Sequence, residues 1–252
     1  MRKITEIIIA TAAILAAAAS CQKDDTLRYG NVTMGNVVDG RFVSDQGNIF
    51  NVVDQTCAGK IEELDRAIIS CDVLNKVSGT ENEYDIRLNQ MASVFTKAPV
   101  KAAEITDEDA LVQNPIYPDL VWFAGGYANM YIIFMVKEGS EQAHLINFVL
   151  DEAAEGSYTF SLRHNAFGDL PQGEDTEGYR LAGTYVSFPM SQLISEDSAK
   201  ITIKYNWYKS AGDIGLLTTE IEERTLEYNW TRSGFEQAPA AALTSKAAGA
   251  VR

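Results

Sequence analysis

Residues Tyr127 to Lys137 constrain this chain more than any other stretch. Ala128, Met130, Ile132, Phe134 and Val136 alternate there with Tyr127, Asn129, Tyr131, Ile133 and Met135. A period of two belongs to a strand, because successive side chains point to opposite faces. Apolar residues on both faces predict a strand covered on both sides. The same short rhythm, broken by turn residues, recurs through most of the chain and predicts an all-β protein.

Two groups of strands are expected. Candidates at 32–38, 41–44, 48–54, 66–75 and 84–96, with Asp39-Gly40 as a hairpin turn, have the size of a small closed barrel. An OB-like β-barrel over 29–98 is the economical reading. Residues 99–119 lose the rhythm and read as a linker, with Thr106 placed to cap a short helical turn. Strands near 120–124, 127–137, 144–151, 157–163, 179–188, 200–208 and 217–230 then predict an antiparallel β-sandwich over 120–236. The Ala-rich segment 237–252 reads as a disordered tail.

The first twenty residues read as a processing signal. Arg2 and Lys3 precede an apolar run too short to span a bilayer, which needs about 20 residues. Ala18-Ala19-Ser20 then leads into Cys21, the lipobox pattern, in which the thiol of Cys21 is acylated and becomes the mature N-terminus. Residues 21–28 form an acidic tether. Its Gln22-Lys23-Asp24-Asp25 resembles the export tag of surface lipoproteins in the Bacteroidota. The expected location is the outer membrane, held through the lipid on Cys21 and facing the cell surface, with the periplasmic face as the alternative.

The chain carries a formal charge of −14. The signal segment contributes Arg2, Lys3 and Glu6, so the mature protein is one unit more negative still. Such a balance argues against nucleic acid, whose binding wants basic patches. After Cys21 two cysteines remain, Cys57 and Cys71. They predict either a disulfide, suited to an oxidising compartment, or two buried thiols.

Four runs carry a resemblance. Trp122 to Met130, His144 to Asn147, Leu162-Arg163-His164-Asn165-Ala166-Phe167-Gly168-Asp169, and Tyr185-Val186-Ser187-Phe188 follow one another in an order that resembles NigD-like lipoproteins. The resemblance implies a barrel followed by a sandwich on a lipid anchor. That family is named after a bacteriocin gene cluster in which an immunity role was suggested. It brings no molecular activity and no catalytic residue with it.

His144 and His164 are the only histidines, and with Asp169 they offer metal-ligand chemistry. The spacing is diagnostic of no metal site. Arg163, His164, Asn165 and Asp169 read better as a tied-down strand-end loop, with Asn and Gly supplying positive φ. Tyr205 and Trp207 share a strand face and offer a sugar-stacking platform, with core packing as the plainer reading. No Gly-x-Ser-x-Gly elbow, phosphate loop or metalloprotease helix is present. The sequence therefore reads as a non-enzymatic binding module with no cofactor or metal, whose partner is an extracellular protein or a glycan.

Overall fold

A computed structural model describes residues 32–171, 176–191, 193–211 and 216–232. The signal segment, Cys21, the acidic tether and the tail lie outside the described residues. Strands β1 (Thr33–Val38), β2 (Arg41–Ser44), β3 (Ile49–Gln55), β4 (Arg66–Lys76) and β5 (Glu83–Ser93) close a barrel in the order β1-β2-β3-β5-β4. β3 and β5 run parallel, and the remaining pairs are antiparallel. This is the five-stranded Greek-key barrel expected of an OB-type domain. Asp39 (φ 51°) and Gly40 (φ 73°) form the tight β1–β2 turn, where both central residues need left-handed backbone. Phe42, Phe50, Ile69, Cys71, Ile86 and Leu88 fill the barrel, and Ile61, on a 3-10 turn (Ile61–Glu63) between β3 and β4, packs into it.

The second unit is a sandwich of two sheets. Its strands are β6 (Phe95–Thr96), β7 (Val100–Lys101), β8 (Tyr117–Ala124), β9 (Tyr127–Lys137), β10 (Leu145–Ala154), β11 (Ser157–Asn165), β12 (Tyr179–Pro189), β13 (Ser198–Ala211) and β14 (Leu216–Thr231). One sheet runs β14-β13-β11-β10-β7 and the other β6-β12-β9-β8. The pairing is not wholly antiparallel. β11 and β13 run parallel, as do β10 with β7 and β12 with β6. After β11 the chain crosses to the other sheet as β12, so on its return β13 points the same way as β11.

Residues 99–119 are not a free linker. β5 and β6 are separated only by Val94, which is buried. The chain then lays β6 along one sheet and β7 along the other, and crosses the sandwich edge through two 3-10 turns (Ala102–Glu104 and Glu108–Leu111). The second turn is capped by Asp107, whose carboxylate accepts from the Asp109 N–H, rather than by Thr106. Ile116 is fully buried, and β8 already begins at Tyr117. Two-residue strands and 3-10 turns carry no periodicity, which is why the segment reads from its sequence as a linker with one helical turn.

The two faces of β9 are covered by different things. Ala128, Met130, Ile132, Phe134 and Val136 enter the sandwich core. On the other face Asn129 is buried and Tyr131 half-buried against the barrel, while Ile133 and Met135, further along, stay half-exposed. Only the Tyr127–Tyr131 end of that second face meets the barrel, through Asn129 and Tyr131, at the domain junction. Met34, Ile68 and Val94 meet Trp122, Ala124 and Tyr185 in one apolar cluster across that junction. Each large apolar side chain buried there is worth about 1.5–3 kcal/mol, enough to keep the two units together.

Candidate functional site

The His-Asn-Asp run forms a buried line of hydrogen bonds. β11 ends at Asn165, and a turn through Phe167 (φ 51°) and Gly168 (φ 84°) brings Asp169 back beneath it. The positive φ falls on Phe167 and Gly168; Asn165 stays in the strand. Its Oδ1 accepts from the Phe167 N–H (2.9 Å), and its Nδ2 donates to the backbone O (3.2 Å) and Oδ1 (3.1 Å) of Asp109. Asp169 Oδ2 lies 3.1 Å from His144 Nε2, His144 Nδ1 lies 2.9 Å from His164 Nε2, and His164 Nδ1 lies 2.9 Å from the Pro115 carbonyl. Asp169 Oδ1 also accepts from the Lys137 N–H (3.1 Å). Both histidines are 0% exposed, and Phe134 packs on both rings.

Burial pushes the His164 imidazolium down to about 3, helped by the neighbouring His144. Burial lowers His144 too, opposed by the Asp169 carboxylate. A metal needs ligands converging on one point about 2 Å away. Here the three side chains stand in a line with His144 in the middle and both its nitrogens engaged, so they tie a loop rather than surround an ion. Arg163 is not part of this line. As the neighbour of His164 on a strand it points the opposite way, and its Nη2 donates to Asp151 Oδ1 (3.0 Å).

The sugar-stacking reading of Tyr205 and Trp207 is overturned. Both are 6% exposed and belong to the sandwich core, with the Tyr117 ring 6.1 Å from Tyr205 and 5.4 Å from Trp207. Their face of β13 points between the sheets. Cys57 and Cys71 are unbridged. Cys71 sits in the barrel core, where burial pushes its thiol up to about 11, and half-buried Cys57 packs against the same core.

The most elaborate polar site escaped the sequence reading. Arg66, at the start of β4, directs all five guanidinium donors to acceptors. Nη1 donates to Asp45 Oδ1 (2.8 Å) and Asn36 Oδ1 (2.9 Å), and Nη2 to Asp45 Oδ2 (2.6 Å) and Asn129 Oδ1 (3.0 Å). Nε donates to Ser187 Oγ (2.9 Å), and the guanidinium lies 3.9 Å from the ring centroid of Tyr127. Asn36, Asp45 and Arg66 come from the barrel; Tyr127, Asn129 and Ser187 come from the sandwich. Burial raises the Asp45 pKa and Arg66 opposes the rise. A fully satisfied buried network of this kind fixes one arrangement of its parts. The signal for it was Asn129, a lone amide on an otherwise apolar strand, but nothing in the sequence named its partner.

Among the described residues the barrel carries two exposed large apolar side chains. Val38, beside the β1–β2 turn, is 49% exposed, and Val53, the extra residue at the β3 bulge, is 59% exposed. A groove of about 400 Å³ opens beside Val53, lined also by Gly40, Asp54, Gln55, Lys60 and Glu62 among others. Bulges often re-aim a side chain at a working surface.

Residues 98–222 match the family model of the NigD-like C-terminal beta sandwich domain. No curated protein matches the chain. Among solved structures, a protein of unknown function from Bacteroides vulgatus aligns at 20% identity and a TM-score of 0.58, covering 84% of this chain and 95% of that one. A candidate lipoprotein from Bacteroides fragilis aligns at 13% identity and a TM-score of 0.56, covering 81% and 98%. A NigD-like immunity protein from Bacteroides caccae aligns at 19% identity and a TM-score of 0.50, covering 84% and 99%. At such identities the likeness is one of fold, and it spans both domains.

Proposed function

We propose, for a chain whose residues 98–222 belong to the NigD-like C-terminal β-sandwich family, a lipid-anchored module that binds a protein partner at the cell surface through the barrel groove beside Val53. The observation that carries this reading is Val53, exposed on a bulge beside an open groove, with Val38 exposed next to the β1–β2 turn whose Gly40 lines the same groove. Apolar side chains at the centre of a polar surface are the usual anchors of a protein interface. The two recognisable polar clusters, by contrast, are buried and internally hydrogen-bonded, which supports binding rather than turnover.

The Bacteroides caccae structure bears the name of an immunity protein. That name supports an immunity-like role here, in which the partner is a secreted toxin. The likeness to a candidate lipoprotein supports the anchor. Palmitate labelling tests the anchor, with loss expected in Cys21→Ser.

Sensitive cells expressing the full chain and exposed to secretions of competing bacteria test the role. Protection is expected, and Val53→Glu is expected to abolish it while leaving the melting curve unchanged. Protection that survives Val53→Glu and Val38→Glu together overturns the barrel surface. Absence of protection from every toxin-producing competitor overturns the immunity reading. Protease added to intact cells is expected to degrade the protein; survival contradicts the surface location.

A further inference from the structure

The line Asp169–His144–His164–Pro115 has a direction imposed from one end. The Pro115 carbonyl only accepts, so His164 Nδ1 carries a hydrogen. A neutral His164 then presents a bare Nε2, which accepts from His144, so His144 Nδ1 carries a hydrogen as well. His144 Nε2 therefore meets Asp169 Oδ2 at 3.1 Å with a lone pair facing a carboxylate unless one more proton lies between them. Two buried acceptors in that position repel, and removing both from water makes the repulsion costly.

We propose that Asp169, His144 and His164 form a proton-coupled clasp, in which one proton shared between His144 Nε2 and Asp169 Oδ2 orients every donor in the line and fastens the 102–116 segment to the sandwich. The proton belongs to the pair rather than to either residue: burial disfavours an imidazolium on His144, and the facing Asp169 carboxylate opposes that. The segment it fastens is held by bonds from the same place. The Asn114 N–H donates to the His164 carbonyl (2.8 Å), the Ala166 N–H donates to Asn114 Oδ1 (2.9 Å), and Asn165 holds Asp109. Among the described residues, the titratable groups bonded to the histidines are each other and Asp169. β9 contributes the Phe134 ring and the Lys137 backbone, β11 turns Arg163 away to Asp151, Asp109 stands behind Asn165, and Tyr179 of β12 donates to the Leu170 carbonyl.

The consequence is a stability that depends on pH from both sides. Above about 6.5 the unfolded histidines hold no proton while the folded pair holds one, so folding weakens as pH rises. Below about 6.5 both unfolded histidines are protonated while the folded line keeps one proton, so folding weakens as pH falls. Asp169→Asn replaces the shared proton by a fixed amide hydrogen, which donates to His144 Nε2 without titrating. Other groups contribute equally to both proteins, and their ratio isolates the one proton.

Urea unfolding of the full chain and of Asp169→Asn from about pH 5 to 9 reads this directly. The folding constant of the wild type divided by that of the variant is expected to fall about tenfold per pH unit. A flat ratio means an ionised Asp169 beside a neutral His144 and overturns the clasp. Nitrogen NMR of the unmodified protein needs no variant, because it has only two histidines. Neutral His164 protonated at Nδ1 is expected throughout this range; His164 protonated at Nε2, or both rings titrating with ordinary midpoints, overturns the proposal.

Discussion

Removing Arg66 alone leaves the Asp45 carboxylate buried, with only the Asn129 side-chain amide, among the described residues, donating to it. Arg66→Met is therefore expected to destabilise the protein by about 3–5 kcal/mol, the range found when a buried pair loses one partner. The double variant Arg66→Met with Asp45→Leu is expected to recover part of that loss, since no charge is then stranded. Equal losses for the single and double variants in urea unfolding would show that the pair is not coupled as described. At this scale sequence reading reached some residues and missed others. Gly40 and Gly168 were legible because a tight turn demands them. His164 and Asp169 were legible as partners in a loop because they lie close in the chain. Arg66 and Asn129 were not, because their contact joins residues 63 positions apart.

Gly35 shows the same limit one scale up. A Cβ on it would run into the backbone carbonyl of Val43, because β1 and β2 approach closely where the barrel closes. Backbone on a paired strand cannot swing aside, so Gly35→Ala is expected to cost about 1–3 kcal/mol, as overpacked sites do. Retained amide protection across β1 and β2 in that variant, with no loss of stability, would contradict the close approach. Long strands such as β9 were read to the residue, since eleven alternating positions leave little ambiguity. β6 and β7 were invisible, since two residues have no period and their pairing depends wholly on sheets formed elsewhere. Tyr205 and Trp207 were placed correctly on one strand face, and only the fold could show that this face looks inward.

Across the whole molecule, the runs that resemble the family turn out to be architectural. Tyr127, Asn129 and Ser187 grip the barrel through Arg66, and His144, His164, Asn165 and Asp169 clasp the crossing segment. Barrel and sandwich were legible as separate patterns. Their junction was not, because it is built from single residues scattered over both. Barrel and sandwich thus form one body locked at the junction. Hydrogen exchange of the wild-type protein across rising urea tests that claim most directly, by comparing the slowest amides of β4 in the barrel with those of β9 in the sandwich. Both sets are expected to open with one free energy and one urea slope, and Arg66→Met is expected to separate them. Barrel amides that already open in the wild type with a smaller free energy and a smaller slope would mean that the two domains are only loosely joined.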